Sequence, residues 1–123
     1  MHIPIIIICL SERSRKLIQS AMISVGLDDG ESFVIVHSLA DAWGFINKDE
    51  PQMLIVASSS LTDELQLGGF VAAGLGENPG LSVACYRSEP ISGIRHVKPG
   101  NTNLVAAIQS FIFREQDEVA IVA

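Results

Sequence analysis

Short apolar runs alternate with amphipathic segments along the whole chain. The first run, from Ile3 to Leu10, is almost continuously apolar, as expected of a strand that is buried on both faces of a parallel sheet. The segment that follows predicts a helix, because serines suited to an N-cap precede it and Gly26 suits its end. Spacings of three and four place five apolar residues on the inward face of this helix: Leu17, Ile18, Ala21, Met22 and Val25.

The same alternation continues through the rest of the chain. Four further apolar runs predict strands over residues 33–37, 53–57, 82–86 and 94–97. The segments between and after them predict helices over residues 39–47, 61–76 and from 101 or 102 through 112. The inward face of the second helix is predicted to be Leu39, Ala42, Trp43 and Ile46. Strands and helices in this order predict an α/β fold, a three-layer sandwich with a five-stranded parallel sheet.

The predicted third helix is unusually rich in glycine. Its four glycines are Gly68, Gly69, Gly74 and Gly76. Each of them weakens a helix by up to about 1 kcal/mol relative to alanine. The composition therefore indicates either a loose helix or a helix that approaches the sheet closely.

Composition and charge narrow the class of protein. The 123 residues are 48% hydrophobic and 18% charged, which suits one compact domain. A net charge of −6 with eight scattered Lys and Arg residues argues against contact with nucleic acid. The apolar runs fall short of the roughly 20 residues of a membrane span, and the amino terminus lacks the features of a secretory signal. We therefore expect a cytoplasmic domain over residues 1–113, followed by a charged tail or linker over residues 114–123.

The residue types that carry catalysis or hold metals are sparse. Cys9 and Cys85 each lie inside an apolar run and are predicted to be buried hydrophobic residues, without a disulfide or a metal site. The three histidines, His2, His37 and His96, show no spacing that pairs one of them with a nucleophile. We therefore predict no enzyme activity, no cofactor and no bound metal.

The order and spacing of the elements resemble the receiver domain of two-component response regulators, over roughly residues 3–113. The resemblance is carried by the strand Ile5 to Leu10 and by residues 51–57 and 77–83. Its strongest part is Val97-Lys98-Pro99, followed by the helical residues 103–108. The resemblance implies the CheY-like, flavodoxin-like version of the α/β sandwich and a role in signal transduction.

The chain departs from the receiver pattern at the positions that perform phosphotransfer. Receivers hold two acids after the first strand, a phospho-accepting aspartate after the third, a Ser or Thr after the fourth and a lysine after the fifth. The corresponding residues here are Leu10 and Ser11, Ala57, Arg87 and Lys98. The family's reaction needs a carboxylate and Mg²⁺, which takes oxygen ligands. The resemblance therefore implies a receiver-like domain that is not phosphorylated.

Two neighbouring polar residues do not restore the missing acids. Glu12 and Ser58 each lie one position beyond the expected place, where the side chain would point away from the crevice. Ser58 and the two serines after it are better explained as residues that form the turn and cap the following helix.

A second departure is the short connection between the fourth and fifth strands. Ten residues, Ser88 to Val97, separate Arg87 from Lys98. Pro90 and Gly93 within this segment allow no more than a turn, so the fourth helix of the family is predicted to be missing or reduced to a turn.

The space left by that helix suggests an interaction surface. Ile91 and Phe113 lie near it and are our candidates for contact with a partner. Phe111 is a third candidate, but its helical spacing with Leu104 and Ile108 also suits the core.

Two hypotheses of function follow. The leading one is a receiver-like regulatory domain that acts through protein–protein interaction or self-association. A C-terminal output or ATPase domain is a further expected partner, and residues 118–123 would then begin the first strand of that domain. The alternative is a flavodoxin-like domain that binds a small ligand or anion near Arg87 and Lys98, although no glycine-rich phosphate loop follows the first strand. These two cations could instead pair with Glu12, Glu89 or solvent.

Overall fold

The protein is built on five parallel strands. The computed structural model describes residues 3–9, 11–46, 51–57, 64–87, 90 and 93–122, and for residues 64–66 and 113–122 it describes only the backbone. The strands are β1 (Ile5–Ile8), β2 (Phe33–Val36), β3 (Gln52–Val56), β4 (Leu81–Tyr86) and β5 (Arg95–Val97). They are ordered β2-β1-β3-β4-β5, and every neighbouring pair is parallel. This is the predicted α/β fold with the flavodoxin-like strand order.

In the described residues, four helices connect and cover the strands. They are α1 (Glu12–Ser24), α2 (Leu39–Trp43), α3 (Glu64–Glu77) and α4 (Asn101–Val122). On one face of the sheet, Ile18 of α1 and Ile108 of α4 belong to one core cluster; on the other, Ala42 of α2 and Leu67 of α3 belong to a second cluster. All four residues of β1 are buried, two towards each cluster, which explains its continuous apolar run. None of the described helices is both long enough and apolar enough to span a bilayer.

Helix α1 forms as its sequence predicts at both ends. The Ser11 hydroxyl accepts a hydrogen bond from the Ser14 N–H, and Gly26 follows the helix with a φ of 88°. Its predicted inward face is correct for the buried residues Ile18, Ala21 and Met22. Leu17 and Val25, by contrast, are 55% and 37% exposed. Leu17 lies about 100° around the helix axis from the buried Ile18, and Val25 is the C-cap, beyond the last helical residue.

Helix α2 is shorter than predicted and presents Trp43 differently. It ends at Trp43 rather than at residue 47, and Ala42 is its buried residue. Trp43 was expected on the inward face but is 42% exposed, and its ring packs edge-to-face on Phe70 with 5.9 Å between centroids. Leu39 and Ile46 pack against the same core cluster as Ala42, so Trp43 alone of the predicted inward face lies on the outer side.

Helix α3 approaches the sheet closely at one of its four glycines. A Cβ atom on Gly74 would lie 3.1 Å from Cδ2 of Leu81 and 3.5 Å from Cδ1 of Ile46. Gly68, Gly69 and Gly76 have nothing within 4 Å at that position. The close approach predicted for this helix is therefore made at Gly74.

The chain passes from β4 to β5 without a helix in its described residues. Residues 87, 90, 93 and 94 are not helical, and Gly93 turns the chain with a φ of 80°. This agrees with the prediction that the fourth helix of receivers is missing or reduced to a turn.

Helix α4 continues further than predicted. The backbone is helical through Val122, whereas the sequence predicted a helix ending at residue 112 and a strand beginning after residue 117. The strand prediction is wrong for residues 118–122. No glycine or proline occurs after Gly100, and Arg, Glu and Gln at residues 114–116 are good helix formers, so nothing local ends the helix. A boundary at residue 113 stays a prediction.

Candidate functional site: the crevice at the carboxyl ends of the strands

A cavity opens where β3 and β4 end, between α1 and the start of α4. Its volume is about 240 Å³. Its walls come from α1, from the residues after β3 and β4 and from the loop before α4, and they are formed by Ser14, Leu17, Ile18, Ala57, Tyr86, Arg87, Pro99 and Asn101. Carboxyl ends of parallel strands are where flavodoxin-like folds place their ligands.

Ser11 follows β1, where the receiver resemblance predicts one of two acids. Its Oγ accepts a hydrogen bond of 3.3 Å from the Ser14 N–H and so caps α1. The hydroxyl therefore stabilises the helix end, and it provides no carboxylate for a metal ion. Leu10, at the other acid position, lies outside the described residues.

Ala57 is the residue that the receiver resemblance aligns with the phospho-accepting aspartate. Its backbone N–H donates a 2.9 Å hydrogen bond to the Ile8 carbonyl, and its half-buried methyl group packs against the core on the α1 and α4 side. A methyl group can neither accept a phosphoryl group nor bind Mg²⁺. In the described part of the chain, no three His, Cys, Asp or Glu residues form a group that could hold a metal ion.

Arg87, which the receiver resemblance aligns with a Ser or Thr, lies in the cavity wall. The residue is 7% exposed, and its backbone carbonyl accepts a 2.7 Å hydrogen bond from Nε2 of His96, which ties the end of β4 to β5. Arg87 also interacts with other parts of the chain. The sequence suggested Glu12 as a partner for Arg87. In the structure, the Glu12 carboxylate lies 3.6 Å from the Arg15 guanidinium instead.

Lys98 is exposed at the mouth of this region. It directly precedes Pro99, which forms part of the cavity wall. The structure therefore brings Ala57 and Arg87 together in the cavity and leaves Lys98 at its edge.

Tyr86 fixes the loop before α4. Its hydroxyl accepts a 2.9 Å hydrogen bond from the Gly100 N–H, and the Gly100 carbonyl accepts the first helical bond from the Leu104 N–H. Gly100 has a φ of 131°, a conformation that favours glycine. Sequence reasoning missed Tyr86, although an aromatic residue at a strand end facing a Pro-Gly turn is a signal that could have revealed it.

The predicted interaction surface lies largely outside the described side chains. Ile91 and the side chain of Phe113 are not described. Phe111 is 7% exposed and belongs to the core, as its helical spacing allowed.

A different apolar surface is exposed on the layer formed by α2 and α3. Trp43, Phe45 and Leu75 are 42%, 37% and 41% exposed, and Trp43 packs on Phe70. Five further exposed residues of α3 are small: Gly68, Gly69, Ala72, Ala73 and Gly76. We call these residues together the α2–α3 surface.

Comparison of the chain with protein-family models finds no match, and neither curated proteins nor solved structures give a significant one.

Proposed function

We propose that this chain is a receiver-like regulatory domain that performs no phosphotransfer and acts through protein–protein interaction. One observation carries the proposal: Ala57 stands at the end of β3, where a receiver holds its phospho-accepting aspartate. The methyl group offers no nucleophile at the centre of an otherwise receiver-like sheet. We infer no catalytic activity for the domain.

The neighbouring positions support the same conclusion. The Ser11 hydroxyl is engaged as the N-cap of α1, and Arg87 lines the cavity where a Ser or Thr would contact the phosphoryl group. A cation beside the cavity cannot replace the acids that hold Mg²⁺ in receivers. The resemblance therefore supports a retained scaffold with a different use.

The α2–α3 surface supports interaction as that use. Tryptophan is enriched among the residues that dominate binding energy in protein interfaces, and Trp43 presents 42% of its surface. The small exposed residues of α3 allow another backbone to approach, because Gly68, Gly69 and Gly76 have open space around them. We take the partner to be a second copy of the chain, the form in which the proposal is tested directly.

Self-association should depend on Trp43. Sedimentation of the full chain is expected to change with concentration between the micromolar and millimolar ranges. Trp43 is the single tryptophan, so its emission should move to shorter wavelengths as the surface is covered. Replacement Trp43→Ala is expected to weaken association by about tenfold or more.

Ile23→Ala is the matched control for this experiment. Ile23 is 53% exposed on α1, on the opposite layer, and its removal should leave association unchanged. Sedimentation and emission that stay constant over the whole concentration range would reject self-association. Equal weakening by the two variants would reject the α2–α3 surface.

A further inference from the structure

We infer that the cavity between α1 and α4 binds a small organic anion, a carboxylate or a phosphate ester, with its charged group towards Arg87 and its apolar part along the groove between the two helices. This inference concerns the opposite layer from the α2–α3 surface and does not rest on the proposed function.

A cation is buried in the cavity wall. Arg87 is 7% exposed and contributes to the lining together with Ser14 and Asn101. A guanidinium presents five N–H donors in a planar fork that matches carboxylate and phosphate oxygens, so a ligand can share it with groups of the chain. Polar lining residues of this kind orient a ligand within a largely apolar pocket.

Positive charges are concentrated near the cavity. The chain carries a net charge of −6, yet five of its eight Lys and Arg residues follow the ends of β1, β4 and β5: Arg13, Arg15, Lys16, Arg87 and Lys98. In the described residues of these segments, residues 11–18, 87 and 98–100, Glu12 is the one acid, and it faces Arg15. The described residues of this corner are therefore richer in cations than the acidic chain as a whole, and such a distribution attracts anions.

Two helices point their amino-terminal ends towards the cavity. Helices α1 and α4 both begin at this end of the sheet, and Ser14 and Asn101 in their first turns line the cavity. Backbone N–H groups at the start of a helix favour a negative charge. They add to the effect of Arg87, which carries the proposal.

The size of the cavity indicates more than a simple ion. Its volume of about 240 Å³ exceeds what one phosphate or carboxylate group fills. A second cavity of about 340 Å³ shares Asn101 with it. Its other lining residues are the apolar Ala21, Val105 and Ala106 and the polar Ser24, Thr102 and Gln109. The apolar ones suit contact with a hydrocarbon chain of the same ligand.

The probes are hexyl phosphate, heptanoate, inorganic phosphate and the neutral hexanol, each titrated into the full chain at low salt and followed by two-dimensional amide NMR. Hexyl phosphate and heptanoate are expected to give saturable shifts at Ser14, Tyr86 and Asn101. Inorganic phosphate should bind more weakly, by up to about fourfold for each methylene it lacks. The stronger of the two organic anions identifies which headgroup the site prefers.

The decisive variant is Ser14→Asp. It adds a carboxylate to the cavity wall, while an acid in the first turn of α1 favours the helix, so folding should be kept. Binding of both organic anions is expected to weaken by about tenfold or more. Ser20→Asp, which adds the same charge to the exposed part of the same helix, should bind like the original chain. Arg87→Gln should weaken binding by a similar factor, and Ser14→Asp still decides the question if that variant does not fold.

Three results would overturn the inference. They are hexanol shifting the same resonances as strongly as hexyl phosphate, no saturable shift with any anion, and equal weakening by Ser14→Asp and Ser20→Asp. Trp43→Ala is expected to leave anion binding unchanged, so failure of this inference and failure of self-association are recognised separately.

Discussion

Gln52 is a fully buried polar residue at the first position of β3. Its Nε2 donates hydrogen bonds to the carbonyls of Ile3, at 2.9 Å, and Phe45, at 2.7 Å. Its Oε1 accepts a 3.3 Å bond from Nδ2 of Asn78, whose own Oδ1 accepts from the Gly80 N–H. One side chain thus joins the segments before β1, β3 and β4 at the end of the sheet opposite the cavity.

Replacement Gln52→Leu should therefore destabilise the fold strongly. It leaves two carbonyls and an amide without this partner in a buried place, and we expect the free energy of unfolding to fall by about 2–4 kcal/mol. Urea denaturation measures the difference. Gln19→Leu is the control, because it removes the exposed 2.7 Å bond from Gln19 to Asp29 and should cost less than about 1 kcal/mol. Similar losses in both variants would show that the buried network contributes nothing special.

Cys9 links stability to pH in the alkaline range. Burial raises the pKa of the Cys9 thiol, while hydrogen bonding from the Ser11 backbone and the charge of Arg15 act in the opposite direction. In the unfolded chain a thiol has a pKa of about 8.5. Between that value and the raised pKa, the folded state holds more protons than the unfolded state, so stability decreases as pH rises.

The free energy of unfolding is expected to depend on pH more steeply in the original chain than in the Cys9→Ala variant. From about pH 8.5 upward, the original chain should lose additional free energy of unfolding, by at most about 1.4 kcal/mol per pH unit, and the variant should lack this part. Urea denaturation at a series of pH values tests it. Parallel curves for the two proteins would contradict the assigned pKa direction.

At the scale of elements, the glycines of α3 differ in what surrounds them. Alanine at Gly69 would meet open space and should stabilise the helix by about 0.5–1 kcal/mol. Alanine at Gly74 would press on Leu81 at 3.1 Å and is expected to be less stable than Gly69→Ala by about 1 kcal/mol or more. Thermal unfolding of the two variants makes the comparison, and equal stabilisation by both would show that α3 does not approach the sheet closely.

Local signals explain which elements could be predicted. Helix α1 follows its sequence because a capping serine and a glycine stop lie within the segment itself. The length of α2 and the end of α4 were predicted less well. Helix α2 ends at its C-cap Gly44, a local signal that the prediction did not use, and α4 lacks a residue that would stop it.

The site could be predicted only in outline. The strand order places Ala57 and Arg87 at one crevice, because carboxyl ends of parallel strands lie together. Ser14 and Asn101 were not predicted as lining residues, since their role depends on how α1 and α4 pack against each other. The bond from Gly100 to the Tyr86 hydroxyl was missed for the same reason.

At the scale of the whole molecule, the two proposed surfaces lie on opposite layers of one sheet. The α2–α3 surface carries Trp43, and the anion cavity lies against α1 and α4. Both proposals use the same α/β scaffold, and the proposed function treats it as receiver-like without phosphotransfer. The loss of phosphotransfer is therefore the claim on which the functional account depends.

The most direct test is intact-mass measurement of the full chain after incubation with acetyl phosphate and Mg²⁺, with a phosphorylatable receiver treated in parallel. The account predicts that the receiver gains one phosphoryl group and this chain gains none. Beryllofluoride with Mg²⁺ is expected to cause no amide shifts that depend on Mg²⁺. Reversible shifts that persist without Mg²⁺ would come from anion binding in the cavity. A Mg²⁺-dependent phosphoryl adduct on this chain would contradict the account and show that a residue other than Ala57 accepts the group.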